Sequence, residues 1–309
     1  MPYFVQFQYV CMRVLRVLAA VLWTMIAGAG VVPRRVGVAL VTGATDGIGS
    51  MTAQLLANDG WRVLLHGRSQ EKLEAAKRTI LNQNKDAILE TFCYDLSSLK
   101  DTKSFALDVL SKHGDSGLDV VVQNAGVFTK SRVVTADQLE QTFAVNVAAP
   151  FILACLLVPA LRSAPQARML MVSSISQSDG GGRIDLANLQ SDKSRGPFDG
   201  YGAYGRSKLC MAMLSQEMAA RLEPSQCVVA SCDPGTVNTK MLLAGWGRCG
   251  IEVEDATDEF NLVKDFQEGV HGKYYVSLRE RRCQPDAYDK EKRLQLWAAL
   301  ETITGVQWP

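Results

Sequence analysis

From residue 36 onward, short apolar runs alternate with longer amphipathic stretches. Strands that alternate with helices of this length indicate βαβ units and a doubly wound parallel sheet. We therefore expect an α/β fold with one domain spanning residues 36–309. The apolar runs predict strands at Val36–Thr42, Arg62–His66, Ile88–Tyr94, Leu118–Gln123, Arg168–Ser173 and Cys227–Cys232. The amphipathic stretches predict helices at Gly47–Asp59, Gln70–Asn84, Ser98–Lys112 and Ala136–Ala149, and residues 245–270 predict a loop or lid with one short helix.

Residues 1–35 form a separate apolar segment that carries four arginines and no acid. The 16 residues Val17–Val32 hold no charge, which is close to the length of a membrane-spanning helix. A membrane anchor over residues 14–32 is the favoured interpretation; a cleaved signal segment and a lead-in to the fold are the alternatives. An anchor would place the domain on the cytosolic side of a membrane such as the endoplasmic reticulum, and without one the protein would be cytoplasmic.

Composition narrows the function classes. Hydrophobic residues make up 47% of the chain, and 33 basic against 32 acidic residues leave a net charge of +1. A nucleic-acid-binding surface would carry a clear excess of Lys and Arg, so no nucleic-acid partner is expected. The eight cysteines include no CxxC pair, and Cys93, Cys155, Cys210 and Cys227 lie in apolar runs. We expect reduced, structural thiols and no metal site.

The first predicted strand ends in a glycine-rich turn with the spacing G-x-x-x-G-x-G. A backbone without Cβ atoms can approach a pyrophosphate there, and the following helix offers free N–H groups to phosphate. A glycine-rich turn without a ligand is the alternative, but the position between strand and helix favours a dinucleotide. The expected phosphate cradle comprises Gly43, Thr45, Asp46, Gly47, Ile48 and Gly49.

The residues after the second strand distinguish the two nicotinamide dinucleotides. An acidic side chain there would bind the adenosine 2′-hydroxyl of NAD. This chain has Arg68 and Ser69 there, with no acid before Glu71. A guanidinium suits a 2′-phosphate, so NADP(H) is expected in preference to NAD(H), and a solvated loop charge is the alternative. His66 is expected to be a structural histidine with its hydrogen bonds satisfied.

Further motifs follow the later strands in order. QNAG starts at Gln123, Asn146 lies in FAVNVAAPFIL, and Ser174 ends the fifth strand. Tyr204 and Lys208 lie in YGRSK, and DPGTVNT follows the sixth strand. Together these motifs resemble the short-chain dehydrogenase/reductase family over about residues 37–240. The long insert before the tyrosine and the tail from residue 272 are similar to the retinol dehydrogenase and WW-domain-containing oxidoreductase subgroup.

The resemblance implies a Rossmann fold and a catalytic set of Asn146, Ser174, Tyr204 and Lys208. Tyr204 would exchange a proton with the substrate oxygen, and Ser174, preferred to Ser173 by the family motif, would donate a hydrogen bond to it. Lys208 would bind the nicotinamide ribose. Asn146 would hold a relay water through its backbone carbonyl at a distorted helix turn. The other implied cofactor contacts are Asp95, Leu96, Asn124, Ala125, Gly126, Pro234, Gly235, Val237 and Thr239, together with Tyr204 and Lys208.

Tyr204 and Lys208 are four residues apart, so they share one face of a helix. The ordinary pKa of tyrosine, about 10, is too high for efficient proton exchange at neutral pH. We expect the Lys208 ammonium to lower the pKa of Tyr204.

The favoured function is an NADP(H)-dependent oxidoreductase that interconverts a carbonyl and an alcohol on a small lipophilic substrate. A non-catalytic NADP(H)-binding sensor or scaffold, and a C=C reductase of the protochlorophyllide reductase type, are the alternatives. A serine hydrolase is excluded because Ser174 lacks a G-x-S-x-G turn. The resemblance also implies a homo-oligomer through the helix that bears Tyr204.

Two positions depart from the pattern. Gln123 stands where the family often has Asn, and Asp233 stands where the subgroup often has His. We expect Trp246, Trp297 and Trp308 to be core or surface anchors with no chemical role.

Overall fold

Eight strands form the sheet on which the described part of the chain is built. The structure of the protein, a computed structural model, describes residues 36–192, 196–264 and 268–309. The candidate membrane anchor at residues 14–32 lies outside them. The strands are β1 (Val38–Val41), β2 (Arg62–Gly67), β3 (Ile88–Cys93), β4 (Val120–Gln123), β5 (Ala167–Val172), β6 (Cys227–Asp233), β7 (Tyr274–Val276) and β8 (Arg279–Arg281).

The sheet has the order β3-β2-β1-β4-β5-β6-β7-β8. All neighbouring pairs are parallel except β7 with β8. The chain builds outward from β1 to β3 and then returns to start the other half with β4, so the strand order reverses between β1 and β4. The predicted doubly wound parallel sheet is confirmed, and ligands of such sheets bind at this reversal point.

The helices pack against both faces of the sheet. They are α1 (Gly47–Asn58), α2 (Gln70–Gln83), α3 (Leu99–His113), α4 (Gln141–Ser163), α5 (Gly200–Arg221), α6 (Lys240–Gly245), α7 (Asp258–Lys264) and α8 (Lys290–Thr304). Asp46, Ser69 and Ser98 cap the first three by accepting hydrogen bonds from N–H groups of the first turn. The first three predicted helices are confirmed to within one or two residues.

The helix predicted at Ala136–Ala149 is wrong at both ends. Gln138 has a φ of 61°, and the Glu140 carboxylate caps the helix by accepting hydrogen bonds from Thr142 N and Phe143 N, both at 2.8 Å. α4 therefore begins at Gln141 and runs on to Ser163. It is long and apolar enough to cross a membrane, but its apolar window is 89% buried within the domain, which is typical of a core helix.

β7 and β8 were not predicted. Each has three residues, and Ser277 and Leu278 connect them with φ values of 48° and 60°. Such two-residue hairpin turns normally contain Asn or Gly, so the sequence carries no turn signal here. The expected short helix within residues 245–270 is present as α7.

The core has two layers, one on each face of the sheet. α3, α4, α5 and α8 cover one face, where Phe105, Phe151 and Leu300 are fully buried. α1, α2 and α7 cover the other, with Leu56, Leu73 and Leu262. Strands enclosed on both faces explain why the apolar runs in the sequence are nearly continuous.

The cysteines of the described residues carry free thiols. Burial raises the pKa of Cys155, Cys210 and Cys227 to about 12, so these thiols behave as small apolar groups. Cys93 was expected to be buried but is exposed, because β3 is the edge strand of the sheet. Cys11 lies outside the described residues.

We predict that Phe151→Ala lowers the free energy of unfolding by about 3–5 kcal/mol, because it leaves a cavity in the larger core layer. Phe151 is 1% exposed, and its ring lies 4.9 Å from that of Trp297. Leu107→Ala is the control, since Leu107 is 58% exposed and its loss should cost under about 0.5 kcal/mol. Equal urea-unfolding midpoints for the two variants would contradict this packing.

Candidate functional site

The glycine turn after β1 requires glycine at particular positions. Gly43 and Gly47 have φ values of 70° and 57°, in the left-handed region that favours glycine. A Cβ at Gly49 would lie 2.2 Å from Asn124 Nδ2, so α1 can approach β4 closely only without a side chain there. The turn directs the N-terminus of α1, capped by Asp46, toward the reversal point of the sheet.

His66 supports this turn from β2. Its Nδ1 accepts a hydrogen bond from Gly43 N at 3.3 Å, and its Nε2 donates to the Tyr94 carbonyl at 3.1 Å. Both ring nitrogens are used by the neutral ring, which stacks on Phe105. Burial lowers the pKa of His66 to about 4. His66 is therefore the structural histidine that was expected.

The loop after β4 is tied to the end of β1. Asn124 Nδ2 donates to the Thr42 carbonyl at 2.8 Å, and Ala125 N donates to Thr42 Oγ1 at 3.0 Å. Gln123 is buried and donates to the Pro150 carbonyl at 3.2 Å. The departure from the family pattern at residue 123 thus fastens β4 to α4.

Asn146 lies in a π-helical segment of α4, Ala144–Ala148, so the helix is distorted at this residue. Its Oδ1 accepts from Val127 N at 2.8 Å, and its Nδ2 donates to Ser207 Oγ at 3.0 Å. A Cβ placed on Gly126 would lie 3.4 Å from Asn146 Oδ1 and 3.5 Å from Lys208 Nζ. The side chains of Asn146 and Lys208 therefore both lie close to Gly126.

Ser173 and Ser174 at the end of β5 have different partners. Ser173 is 1% exposed, and its hydroxyl donates to the Lys208 carbonyl at 2.7 Å. Ser174 accepts a hydrogen bond from Ser176 N at 3.1 Å and is hydrogen-bonded to the Tyr204 side chain. Ser174 is therefore the serine whose hydroxyl contacts Tyr204.

Tyr204 and Lys208 are both buried on α5. Lys208 Nζ donates to the Val172 carbonyl at 2.9 Å and lies 5.5 Å from the centre of the Tyr204 ring. Burial lowers the pKa of Lys208 to about 8, while the nearby Glu259 carboxyl raises it.

Lys208 was expected to lower the pKa of Tyr204, and this expectation is wrong: the pKa of Tyr204 is raised. Burial raises the pKa of Tyr204, and the Asp233 carboxylate raises it further, whereas the hydrogen bond with Ser174 lowers it. Tyr204 therefore keeps its proton at neutral pH.

The loop after β6 closes over the glycine turn. Lys240, the first residue of α6, pairs with Asp46. A Cβ on Gly47 would lie 2.9 Å from Thr239 Cγ2, and Thr239 caps α6 by accepting a hydrogen bond from Leu242 N. The turn that begins α1 and the loop that begins α6 thus contact each other, and both line one crevice.

These loops enclose a cavity of about 620 Å³. Among the predicted residues, Gly49 and Asn146 do not line it. The others line it: Gly43, Thr45, Asp46, Gly47, Ile48, Arg68, Asp95, Leu96, Asn124, Ala125, Gly126, Ser174, Tyr204, Lys208, Pro234, Gly235, Val237 and Thr239. In the described part of the chain, no three His, Cys, Asp or Glu side chains are placed to hold a metal ion.

Trp246 was expected to have no role in the site, but it lines the cavity beside Tyr204. Its ring lies 4.8 Å from Phe128, 5.2 Å from Tyr201 and 5.6 Å from Tyr204. The Tyr201 hydroxyl donates to the Gly245 carbonyl at 2.5 Å and so fastens α6 to α5. Sequence pattern gave no signal for this aromatic cluster, because its members come from three separate loops and helices.

Glu259 on α7 is a second residue that sequence reasoning missed. It is 0% exposed, and its Oε2 accepts a hydrogen bond from Thr52 Oγ1 at 3.0 Å, while its Oε1 has no hydrogen-bond partner among the described residues. Burial raises the pKa of Glu259 to about 7, and Lys208 lowers it. In the sequence Glu259 is one of several acids in a polar segment, and nothing distinguishes it from exposed neighbours.

The residues of the crevice fit a nicotinamide dinucleotide. The N-terminus of α1 points into the cavity and can receive phosphate, and Arg68 and Lys72 add positive charge next to it. Gly235 lines the cavity, and a Cβ on it would meet no atom of the described residues within 4 Å, so there is open space beside it.

Comparison with known proteins agrees with this geometry. The short chain dehydrogenase family pattern matches residues 37–184. Retinol dehydrogenase 13 of Mus musculus is 30% identical over 289 residues, covering 86% of this chain and 83% of that protein. The WW domain-containing oxidoreductase of Gallus gallus is 35% identical over 289 residues, covering 87% and 68%.

One solved structure bears on the cofactor. A metagenomic short-chain oxidoreductase in complex with NADP is similar to this chain with a TM-score of 0.59 at 28% identity, covering 78% of this chain and 96% of that one. This similarity supports a nicotinamide dinucleotide as the ligand of the crevice.

We predict that acid destabilises the protein through His66. Because the folded-state pKa is about 4 and the ordinary value is 6.5, the unfolded chain binds a proton in this range that the folded chain does not. The stability that neutral His66 contributes is therefore fully present above about pH 6.5 and is lost as the pH falls toward 4. Between pH 7 and 4.5, the free energy of unfolding of the wild type, measured with urea, should fall by about 2 kcal/mol more than that of His66→Gln. Equal losses would show that His66 is not held neutral.

Proposed function

Because this chain belongs to the short-chain dehydrogenase/reductase family, we propose that it is an NADP(H)-dependent oxidoreductase that interconverts a carbonyl and an alcohol on a small lipophilic substrate. One observation carries the proposal. Ser174, Tyr204 and Lys208 line the same cavity as the glycine turn and Arg68. A proton donor and a site for the dinucleotide are therefore part of one crevice.

In the proposed reduction, Tyr204 donates its hydroxyl proton to the substrate oxygen. The nicotinamide supplies the hydride to the carbonyl carbon when it is bound. Tyr204 carries this proton at neutral pH, and burial and Asp233 raise its pKa, which makes the hydroxyl a weaker acid. With a pKa of about 8, Lys208 is mostly protonated at pH 7 and is available to pass a proton back to Tyr204.

Ser174 is proposed to donate a hydrogen bond to the substrate oxygen as negative charge develops there. Its hydrogen bond with Tyr204 places the two hydroxyls next to each other. Asn146 is proposed to hold a relay water through its backbone carbonyl, since its π-helical turn adjoins Lys208 across Gly126. That relay would return a proton to Tyr204 through Lys208.

Arg68 and Lys72 support the preference for NADP(H). Both line the cavity just after β2, where no carboxylate precedes Glu71 in the sequence. A 2′-phosphate would receive charge-assisted hydrogen bonds from Arg68, and Asp95 and Leu96 would lie at the adenine.

The aromatic cluster supports a lipophilic substrate. Phe128 and Trp246 surround Tyr204 with apolar ring surface, and Met241 and Leu242 extend the apolar wall of the cavity. Burial of apolar substrate surface against these residues would stabilise its binding. We further propose that residues 14–32 anchor the protein to a membrane, where such a substrate is concentrated; partition of the full chain into the soluble fraction would contradict the anchor.

The test is NADPH oxidation by the full chain in detergent, with retinaldehydes, steroid ketones, quinones and alkanals of increasing length as substrates. Tyr204→Phe removes only the hydroxyl and should lower kcat by about 100-fold or more, because proton donation by a positioned side chain contributes on that scale. Longer alkanals should give lower KM values than shorter ones.

Tyr275→Phe is the matched control, because Tyr275 on β7 lies outside the cavity lining and loses the same hydroxyl. Turnover that survives in Tyr204→Phe would refute the proton-donor assignment. Absence of turnover despite NADPH binding would contradict the proposed activity on this substrate class.

We predict that Arg68→Ala weakens NADPH binding by about 10–100-fold and leaves NADH binding unchanged, since only NADPH carries the 2′-phosphate. Fluorescence titration with each nucleotide measures this. Arg78→Ala on the exposed side of α2 is the control for removal of a positive charge. An equal loss for NADPH and NADH would show that Arg68 does not select the phosphate.

A further inference from the structure

Asp233 joins two loops of the crevice through one carboxylate. It is the last residue of β6 and is 5% exposed. Its Oδ2 accepts a hydrogen bond from Ile175 N at 2.8 Å, and its Oδ1 accepts one from Gly235 N at 2.7 Å. Hydrogen bonds to a buried carboxylate are among the stronger ones in proteins, so the two loops are firmly connected.

The two N–H groups belong to different parts of the site, one next to the proposed position of the substrate oxygen and the other next to that of the cofactor. Ile175 directly follows Ser174, which is proposed to contact the substrate oxygen. Gly235 has a φ of 86° and lies in the loop Pro234–Thr239, where the family resemblance implies contacts with the nicotinamide carboxamide. Its orientation is therefore set by a turn that the Asp233 carboxylate stabilises.

We propose that Asp233 is a positioning residue that holds the Ser174 hydroxyl and the nicotinamide-binding loop at a fixed separation. This inference rests on the proposed function for the roles of those two loops. A carboxylate suits the task because each of its oxygens can accept one N–H, whereas a neutral imidazole has a single acceptor nitrogen. The departure from the subgroup's His at this position thus acquires a structural reason.

The charge of Asp233 also acts on the proton donor. After burial, Asp233 is the next cause that raises the pKa of Tyr204, and it raises the pKa of Lys208 as well. The same carboxylate therefore disfavours the Tyr204 phenolate. The other titratable groups around it are Asp179 beside Tyr204, Tyr274 on β7, Asp258 and Glu259 on α7, and Cys232 on its own strand.

Ile175→Pro removes one of the two N–H donors and leaves the carboxylate in place. Ser174 is extended, with φ −164° and ψ 157°, which suits a residue before proline, and position 175 opens a 3₁₀ turn where proline is tolerated. The Ile175 side chain is 55% exposed. We expect kcat for carbonyl reduction to fall about tenfold below that of the matched variant Ile175→Ala, with NADPH affinity the same in both.

Asp233→Asn preserves the shape of the side chain and removes the charge and one acceptor. We expect NADPH binding to weaken about fivefold or more, because one neutral amide oxygen then serves two N–H groups and the Gly235 turn loses its charged acceptor. The alkaline limb of the kcat profile for reduction should move to lower pH, which a purely structural defect would not cause. Asp179→Asn, which removes an exposed carboxylate near Tyr204, should leave NADPH affinity at the wild-type value.

The outcomes separate this inference from the proposed function. If wild type reduces carbonyls but Ile175→Pro matches Ile175→Ala and Asp233→Asn keeps wild-type NADPH affinity, the inference is wrong and the function stands. If wild type binds NADPH without turnover, the function fails, and the NADPH titration decides the inference: weaker binding by Asp233→Asn supports it and equal binding overturns it. Where Asp233→Asn lacks the wild-type circular dichroism spectrum, the Ile175 pair decides.

Discussion

The site depends on a constraint of parallel sheets: the carboxyl ends of all parallel strands lie along one edge. Where the strand order reverses between β1 and β4, the loops from the two halves diverge and leave a crevice. In this chain the divergent loops are connected by a hydrogen bond from Asn124 to Thr42 and by an ion pair between Lys240 and Asp46. These contacts connect the walls of the crevice.

In and around the crevice, burial is the largest influence on the pKa values of the ionisable side chains. Lys208, Tyr204 and Glu259 are all at least nine-tenths buried, and burial alone opposes a charge on each of them. Lys208 and Glu259 offset part of this cost for each other, while Tyr204 has Asp233 as an unfavourable neighbour for its phenolate. The arrangement keeps a proton on Tyr204 and a positive charge on Lys208 at neutral pH.

Much of the fold was predictable because its signals are local. Apolar runs marked β1 to β6, and the strand-end motifs brought Ser174, Tyr204 and Lys208 into the same cavity as the glycine turn. The failures come from a turn that carries no sequence signal and from long-range effects. The turn at Ser277 and Leu278 uses positive φ without glycine, and Cys93 is exposed because its strand lies at the edge of the sheet. The contacts of Glu259 with Thr52 and of Trp246 with Phe128 join residues far apart in the chain.

The most direct test of the account is a crystal structure of the full chain with NADPH. We expect the pyrophosphate to bind at the Thr45–Ile48 turn, the 2′-phosphate at Arg68, and the nicotinamide between Tyr204 and the Pro234–Thr239 loop. An NADPH molecule bound outside this crevice, or with its nicotinamide away from Tyr204, would contradict the central claim that one crevice joins the cofactor to the proton donor.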